Sequence, residues 1–406
     1  MASPFSVRSF RFQWPADLAT SWAFEMEALI LGWYILETTG SVQQLVNLAA
    51  LVWLGSLFSP FFGVVGDRIG HRTLLCITRG IYALLAAALT LLIWSEALQA
   101  WHVFTIAAIA GLLRPSDNVM RHVLVGQTMP PTLLMRALGI SRTTSDSARV
   151  VGAVAGTAGV ALIGMGPVYA IVTAMYVAAF LLSLGVAGGG VHATTERPLA
   201  GLKQGFRYVW TKPELLGAFA LAFLVNLLAY PFFLGLLPYV AKDVYGIGQA
   251  GLGWLAASFW SGAIIGSLAV GARHFSGRAA RVMLWNGALW FAGLLVFGQV
   301  TWLAFGIVLL FAIGLVQSFC LTPLAAVMLR SSDDAMRGRV MGVRMLAIWG
   351  LPLGLLGAGP LIAGLGYAAT TALYASVGLA ATLAIGYRWR QALWNRSAVA
   401  NAAYAG

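Results

Sequence analysis

Residues 43–95 read QQLVNLAALVWLGSLFSPFFGVVGDRIGHRTLLCITRGIYALLAAALTLLIWS. Two apolar runs flank one short charged connection, Asp67-Arg68-Ile69-Gly70-His71-Arg72. A helix rises about 1.5 Å per residue, so about 20 apolar residues cross a hydrocarbon core roughly 30 Å thick. Both runs meet that length, and the connection leaves room only for a tight turn. The stretch therefore reads as two membrane-crossing helices joined by a charged hairpin.

The same unit recurs outward. Mostly apolar runs lie near 14–38, 43–66, 72–95, 101–124, 137–164 and 167–190, then near 215–240, 251–272, 281–299, 302–329, 338–363 and 367–388. Between the sixth and seventh, residues 191–214 carry His192, Glu196, Arg197, Pro198, Lys203, Arg207, Lys212 and Glu214. The expected organisation is a six-helix half over 1–190, a cytoplasmic linker over 191–214 and a second six-helix half over 215–406. Composition agrees: 60% of the chain is hydrophobic and 9% charged, against roughly a quarter charged in soluble domains.

The formal charge of +12 does not mark a nucleic-acid partner, because the basic residues recur between the apolar runs rather than clustering. With the N-terminus inside, cytoplasmic connections collect Arg68, Arg72, Arg121, Arg136, Arg197, Lys203, Arg207, Lys212, Arg273, Arg278, Arg281, Arg330, Arg337 and Arg339. Arg388, Arg390 and Arg396 follow in the tail, and the opposite connections hold Lys242. This asymmetry expects twelve spans with both termini cytoplasmic, in a multi-pass protein of the cell inner membrane. Arg79, Arg142 and Arg344 lie a turn or two inside cytoplasmic ends, where they can snorkel. Cys76 and Cys320 stand in apolar stretches and read as small buried hydrophobes. No cleavable signal peptide is expected, since the first run contains Asp17, Glu25 and Glu27. No metal-ligand set stands out among the scattered histidines.

The connection Gly63-x-x-x-Asp67-Arg68-x-Gly70-His71-Arg72 resembles the loop signature of the major facilitator superfamily, with His71 at a basic position. The resemblance covers the full chain. It implies an all-α membrane protein of twelve transmembrane helices in two pseudo-symmetric six-helix bundles. It also implies that this loop latches the halves in the outward-open state. The echo of Met135-Arg136-Ala137-Leu138-Gly139 in Met336-Arg337-Gly338 suits two parallel repeats. A glycine motif of antiporter-type members is matched in part on the fifth run, at Gly139, Gly152 and Gly156. Ala148 and Thr157 replace two further glycines and Ala153 the proline. Such spacing also serves plain close packing in lipid. The family's arginine motif on the fourth run is not reproduced around Arg114. The segment from Gly111 to Gly156 is similar to the branch of siderophore and macrolide exporters.

Charges within spans are costly, so each asks for a reason. The fourth run carries Arg114, Asp117, Asn118 and Arg121 on one helical face, and the fifth carries Arg142, Ser145, Asp146 and Arg149 at the same spacing. Two readings stand: a binding or gating network, or a static ion-pair cluster that orders packing. The expected pairs are Asp117 with Arg114 or Arg121, and Asp146 with Arg149. Arg114 and Arg149 are the candidates for an anionic substrate group. On the first run, Glu25 lies ~16 Å from Trp14 along the helix and about 200° around the axis from Glu27. Glu25, Glu27 and Asp146 are the proton-coupling candidates, the alternative being a permanently protonated interhelical hydrogen bond. Asp17 is expected to be solvated or a cap.

The second half offers neutral cavity candidates. Asn226, Tyr230 and Phe233 share a face of the seventh run, which Pro231 and Pro238 can bend. Trp260, Asn286 and Gln317 join them, although aromatics in such helices also serve packing. No residue is marked as catalytic, and no Walker loop or G-x-S-x-G motif is present. The leading expectation is proton-driven antiport that exports a siderophore- or drug-like molecule by alternating access. It needs no cofactor beyond the proton gradient and acts as a monomer with lipid, protons and a small-molecule substrate as partners. The alternatives are an uptake symporter on the same fold and a non-transporting receptor or membrane enzyme.

Overall fold

The computed structural model describes residues 3–188, 198–271, 279–333 and 336–394. Glu196, Arg197, Arg273, Arg278 and Arg396 of the charge pattern lie outside the described residues, as does His192. Among the described residues every regular element is a helix and no strand occurs. In chain order the α-helices are α1 (Arg8–Thr39), α2 (Val42–Val52), α3 (Ser59–Ile69), α4 (His71–Trp94), α5 (Ala100–Thr128), α6 (Pro131–Ile163) and α7 (Met165–Ser183). They continue with α8 (Pro198–Thr211), α9 (Pro213–Leu228), α10 (Tyr230–Leu234), α11 (Leu237–Tyr239), α12 (Gln249–Gly271), α13 (Ala279–Phe297) and α14 (Leu303–Arg330). The last are α15 (Arg337–Leu346), α16 (Gly350–Leu365), α17 (Tyr367–Arg388) and α18 (Arg390–Trp394).

Eight helical stretches of the described residues are long and apolar enough to cross a membrane, or nine if α8 and α9, bent by 114° at Lys212, count as one. α1 and α5 fall outside that set despite their 32 and 29 residues. They carry the ionisable groups, Asp17, Glu25 and Glu27 on α1 and Arg114, Asp117 and Arg121 on α5.

Three of the runs that read as single helices are interrupted, the eleventh by a 3-10 turn at Ala347–Trp349 between α15 and α16. In the second, α2 ends at Val52, residues 54–58 wind as a 3-10 turn, and α3 begins with Pro60 in its first turn. The Ser56 hydroxyl donates to Trp53 O at 2.7 Å, giving the backbone a local alternative to the helix. In the seventh, Pro231 has no N–H for the ladder. The chain there passes through α10, α11 and a π-helical turn at 240–244.

The described chain falls into two compact units, one of residues 1–195 with 237–257, the other of 196–236 with 258–406. In the first, α1 packs on α6 and α7, α4 on α5 and α7, and α2 on α5. Met26, Ile30, Ile35, Tyr82, Leu89 and Tyr169 fill its core. Residues 237–257 join this unit through α1: the Lys242 ammonium donates to Leu36 O at 3.3 Å, at the helix end that Gly40 closes in a left-handed conformation (φ 62°). In the second unit α13 packs on α14 and α17, and α9 on α16 and α17. Its centre is aromatic, with Phe232, Phe259, Trp290, Phe291 and Phe297 buried.

Candidate functional site

Several groups of charges occupy the first unit, and they differ in how tightly they are closed. In the tightest, Arg79 of α4 is fully buried. Its Nε donates to Asp117 Oδ1 at 2.9 Å, Nη1 to the Ser183 hydroxyl at 2.8 Å, and Nη2 to Asp17. Arg121 Nη2 takes the other Asp117 oxygen at 2.8 Å, and Gln13 holds the Arg121 carbonyl at 2.7 Å. Two expectations are corrected here. Arg79 does not snorkel to a cytoplasmic end, and Asp17 is neither solvated nor a cap. The two answer each other's burial, and an unpaired ion at such a place costs several kcal/mol.

The second group is open. Arg149 Nη1 lies 3.7 Å from Asp146 Oδ1, and its Nε 3.9 Å from Glu25 Oε1. Arg142 Nε reaches Asp146 Oδ2 at 3.0 Å, with an Arg142 side chain that is largely exposed rather than turned inward. Asp146 thus pairs with Arg149, while Glu25, read from the sequence as unpaired, has Arg149 at the limit of ion-pair range. The glycines of α6 set this contact. Gly152 faces Trp22 O and Glu25 Cβ, and Gly156 faces Met26 Cα, so a side chain at either position would push α6 off α1.

Glu27 stands apart on the far side of α1. Tyr169 and Tyr176 of α7, two turns apart on one face, donate to its two carboxylate oxygens at 2.5 and 2.8 Å. Tyr82 packs against Tyr176, with ring centroids 5.7 Å apart.

Of the two partners the sequence offered Asp117, Arg121 pairs with it and Arg114 does not, because Arg79 and Arg121 take both oxygens of that carboxylate. The Arg114 guanidinium carbon lies 3.5 Å from the Phe24 ring centroid and 4.1 Å from that of Trp53. The break after α2 creates this clamp. Gly55 and Gly111 meet so closely that a Cβ on either would collide with backbone carbonyls of the opposing segment. That contact brings Trp53 over Arg114, three residues beyond Gly111. Neither Phe24 nor Trp53 was marked by the sequence reading; Gly55 beside a tryptophan was the available signal.

At the charged hairpin, Gly70 turns the chain at φ 91°, which only glycine adopts without strain. Asp67 Oδ1 lies 3.2 Å from His71 Nε2, and the other His71 nitrogen lies 3.3 Å from Gln127 Nε2. Arg72 donates to Leu184 O at the end of α7, and Arg68 stands exposed in the last turn of α3. Gly63 lies within α3.

In the second unit α9, which carries Asn226, ends at Leu228, and Tyr230 and Phe233 lie in α10 beyond Ala229. Asn226 donates to Ala222 O one turn back at 2.8 Å. Phe233 is buried and stacked on Phe259 at 4.5 Å. Tyr230 accepts a 2.6 Å hydrogen bond from Gln317 and meets Trp290 edge-on at 5.1 Å. Trp260 is buried against Phe259, and Asn286 donates to Val282 O. These residues gather as an aromatic core with one polar seam. Cys320 is buried, whereas Cys76 is only half-buried.

An all-helical chain with this many apolar helices and charge clusters between them has the architecture of a multi-pass membrane transporter. The Major Facilitator Superfamily matches residues 18–357, and the chain belongs to that family. A relative from Mycolicibacterium fortuitum, the multidrug efflux pump Tap, is 28% identical over 367 residues, covering 83% of this chain and 85% of its own. Among solved structures, the nucleoside transporter NupG superposes with a TM-score of 0.72 at 12% identity, over 95% of this chain and 99% of that one. The POT family transporter PepTSo gives 0.74 at 11% identity, over 95% and 98%. At such identities these two structures establish the fold.

Proposed function

We propose that the chain is a proton-coupled antiporter that exports a small organic molecule, drug- or siderophore-like, by alternating access. In this reading it crosses the cell inner membrane twelve times with both termini in the cytoplasm and works as a monomer. Each of the twelve apolar runs corresponds to one helix or to helices joined at a break, and basic residues alternate with them in the sequence. The efflux direction is supported by the likeness to a multidrug efflux pump.

The observation that carries the coupling is the loose Glu25–Arg149 contact of 3.9 Å. This contact is the longest of the ion pairs around α6, and Arg149 also holds Asp146 at 3.7 Å. Asp17 and Asp117 are locked by short bonds, and Glu27 is enclosed by two tyrosines. Glu25 is therefore the group assigned to proton exchange, with Arg149 as the cation that its protonation releases.

The test uses everted membrane vesicles containing the overproduced protein, energised to be acid inside. Export by antiport appears as accumulation of a drug- or siderophore-like compound that nigericin abolishes. The E25Q variant should lose this accumulation yet keep energy-independent exchange of the same compound. Accumulation that persists without a pH gradient removes the coupling, and movement of the opposite sign selects the uptake symporter.

A further inference from the structure

Carboxylates of the first unit's spans are each answered by a named donor: Asp17 and Asp117 by Arg79 and Arg121, Asp146 by Arg142 and Arg149, Glu27 by two tyrosines, Glu25 by Arg149. One cation is left over. Arg114 lies midway along α5, and among the described residues no carboxylate comes within ion-pair distance of it. Glu25 is the acid whose field it feels most, and Arg149 is the other cation sharing that field. Around Glu25 and Asp146, the arginines 114, 142 and 149 thus outnumber the acids by one.

A guanidinium at such depth is expensive without compensation. Phe24 and Trp53, half-buried like Arg114 itself, supply part of it through cation–π contact. Both rings lie close to the central carbon of the guanidinium, at 3.5 and 4.1 Å. Its N–H donors lie in the plane, at the edge, in a fork that matches a carboxylate two-to-two. Pairing with Asp117 would have consumed that edge; the prior claim of Arg79 and Arg121 leaves it available.

We propose that Arg114 receives the negatively charged group of an aromatic organic anion, with Trp53 and Phe24 as the rings beside it and Glu25 as the protein's own competing anion. This rests on the transport reading and names its substrate class. A proton on Glu25 and the anion on Arg114 then load together, the sign of the uptake symporter rather than of antiport, so a tighter E25Q selects that alternative for this site.

The test is equilibrium binding of naphthoate to purified protein by titration calorimetry, without any gradient, with naphthamide and naphthylmethylammonium as the neutral and cationic counterparts. Naphthoate should bind best, and R114Q should weaken it about tenfold or more, as expected for loss of charge-assisted hydrogen bonds. R114K should fall between. E25Q should tighten naphthoate binding, which a purely structural Arg114 would not produce. Should R114Q fail to fold, W53L and E25Q carry the same comparison. Equal binding of the amide or the ammonium, no naphthoate binding by folded wild type, or weaker binding by E25Q each overturns the proposal. Gradient-driven flux without naphthoate binding removes the anion site alone. Naphthoate binding without flux of any compound removes the transport reading and leaves the site.

Discussion

Arg79 and Asp117 are joined across α4 and α5 by a 2.9 Å hydrogen bond from Nε to Oδ1, with both side chains sealed from solvent. Asp17 closes the other side of the guanidinium and Arg121 the other side of the carboxylate, so two acids and two bases neutralise one another. Removing Arg79 takes from Asp17 the cation that pairs with it and leaves Asp117 to Arg121 alone. The R79Q variant is expected to lose about 3–5 kcal/mol of stability, the usual cost of breaking a buried pair. Denaturation of the purified protein in detergent reads this directly, and neutralising both acids as well (R79Q with D17N and D117N) should recover part of it. An R79Q protein as stable as wild type would dissolve the structural assignment.

Glu27 and Glu25 sit two residues apart and are assigned opposite duties. With both Tyr169 and Tyr176 changed to Phe, the Glu27 carboxyl keeps its burial and loses the donors shown to it, which should cost about 1–3 kcal/mol. E27Q retains an acceptor for one tyrosine and should be milder. In vesicles E27Q is expected to keep pH-driven accumulation that E25Q loses. Reversal of that order would transfer the coupling role to Glu27.

The helices and the charged hairpin were legible in the sequence because each is a local property: twenty apolar residues, a glycine at a turn, basic residues on alternate connections. Partners were not. Asp17 and Arg79 are 62 positions apart, and Glu27 and Tyr169 142, so no periodicity along one helix links them. Spacing did bring Asp117 near Arg121 and Asp146 near Arg149, each within one turn. It left Arg114 open as a second partner for Asp117 because the competing cation comes from another helix. The seventh run was read as bent, and the structure breaks it between Asn226 and Tyr230, just before Pro231, which has no N–H for the ladder.

Asp67 belongs to the hairpin on which the family resemblance rests. Its 3.2 Å contact with His71 spans one turn across the Gly70 corner. D67N keeps the shape and a hydrogen-bonding capacity but removes the charge. Turnover in vesicles should fall while melting temperature and membrane yield stay near wild type. Unchanged transport kinetics would sink the conformational role of this acid.

Gly111 couples helix packing to the Arg114 clamp. A methyl group there would press on Leu51 O and Val52 Cα, backbone that has no side chain to swing away. G111A is expected to cost about 1–3 kcal/mol, as overpacking does, and to move Trp53 off Arg114. Naphthoate affinity should therefore drop in G111A as well as in R114Q, although Arg114 is intact. Loss of stability with affinity unaltered would separate the packing from the site.

Lys212 and Asp333 tie the bend between α8 and α9 to the segment after α14. The ammonium donates to Asp333 Oδ1 at 3.0 Å and to Ser331 O at 3.1 Å, and the Asp333 N–H donates to the Tyr208 hydroxyl oxygen at 3.0 Å. Hydrogen bonds from Lys212 and then Tyr208 hold the Asp333 carboxyl below the usual aspartate value. Burial pulls Lys212 down, but its bonds to Tyr208 and Asp333 outweigh this and its value is raised. The signs follow from linkage. The carboxylate's contribution is present above the ordinary aspartate value of about 4 and is lost as pH falls through the lower folded value. The lysine's is present below about 10.4 and is lost as pH rises through its raised folded value. The melting difference between wild type and D333N should therefore be widest across the middle of the pH range and close at both ends. Because Asp333 is exposed, the difference should be small and shrink in concentrated salt. A gap independent of pH and salt would mean that Asp333 acts through its backbone turn rather than through its charge.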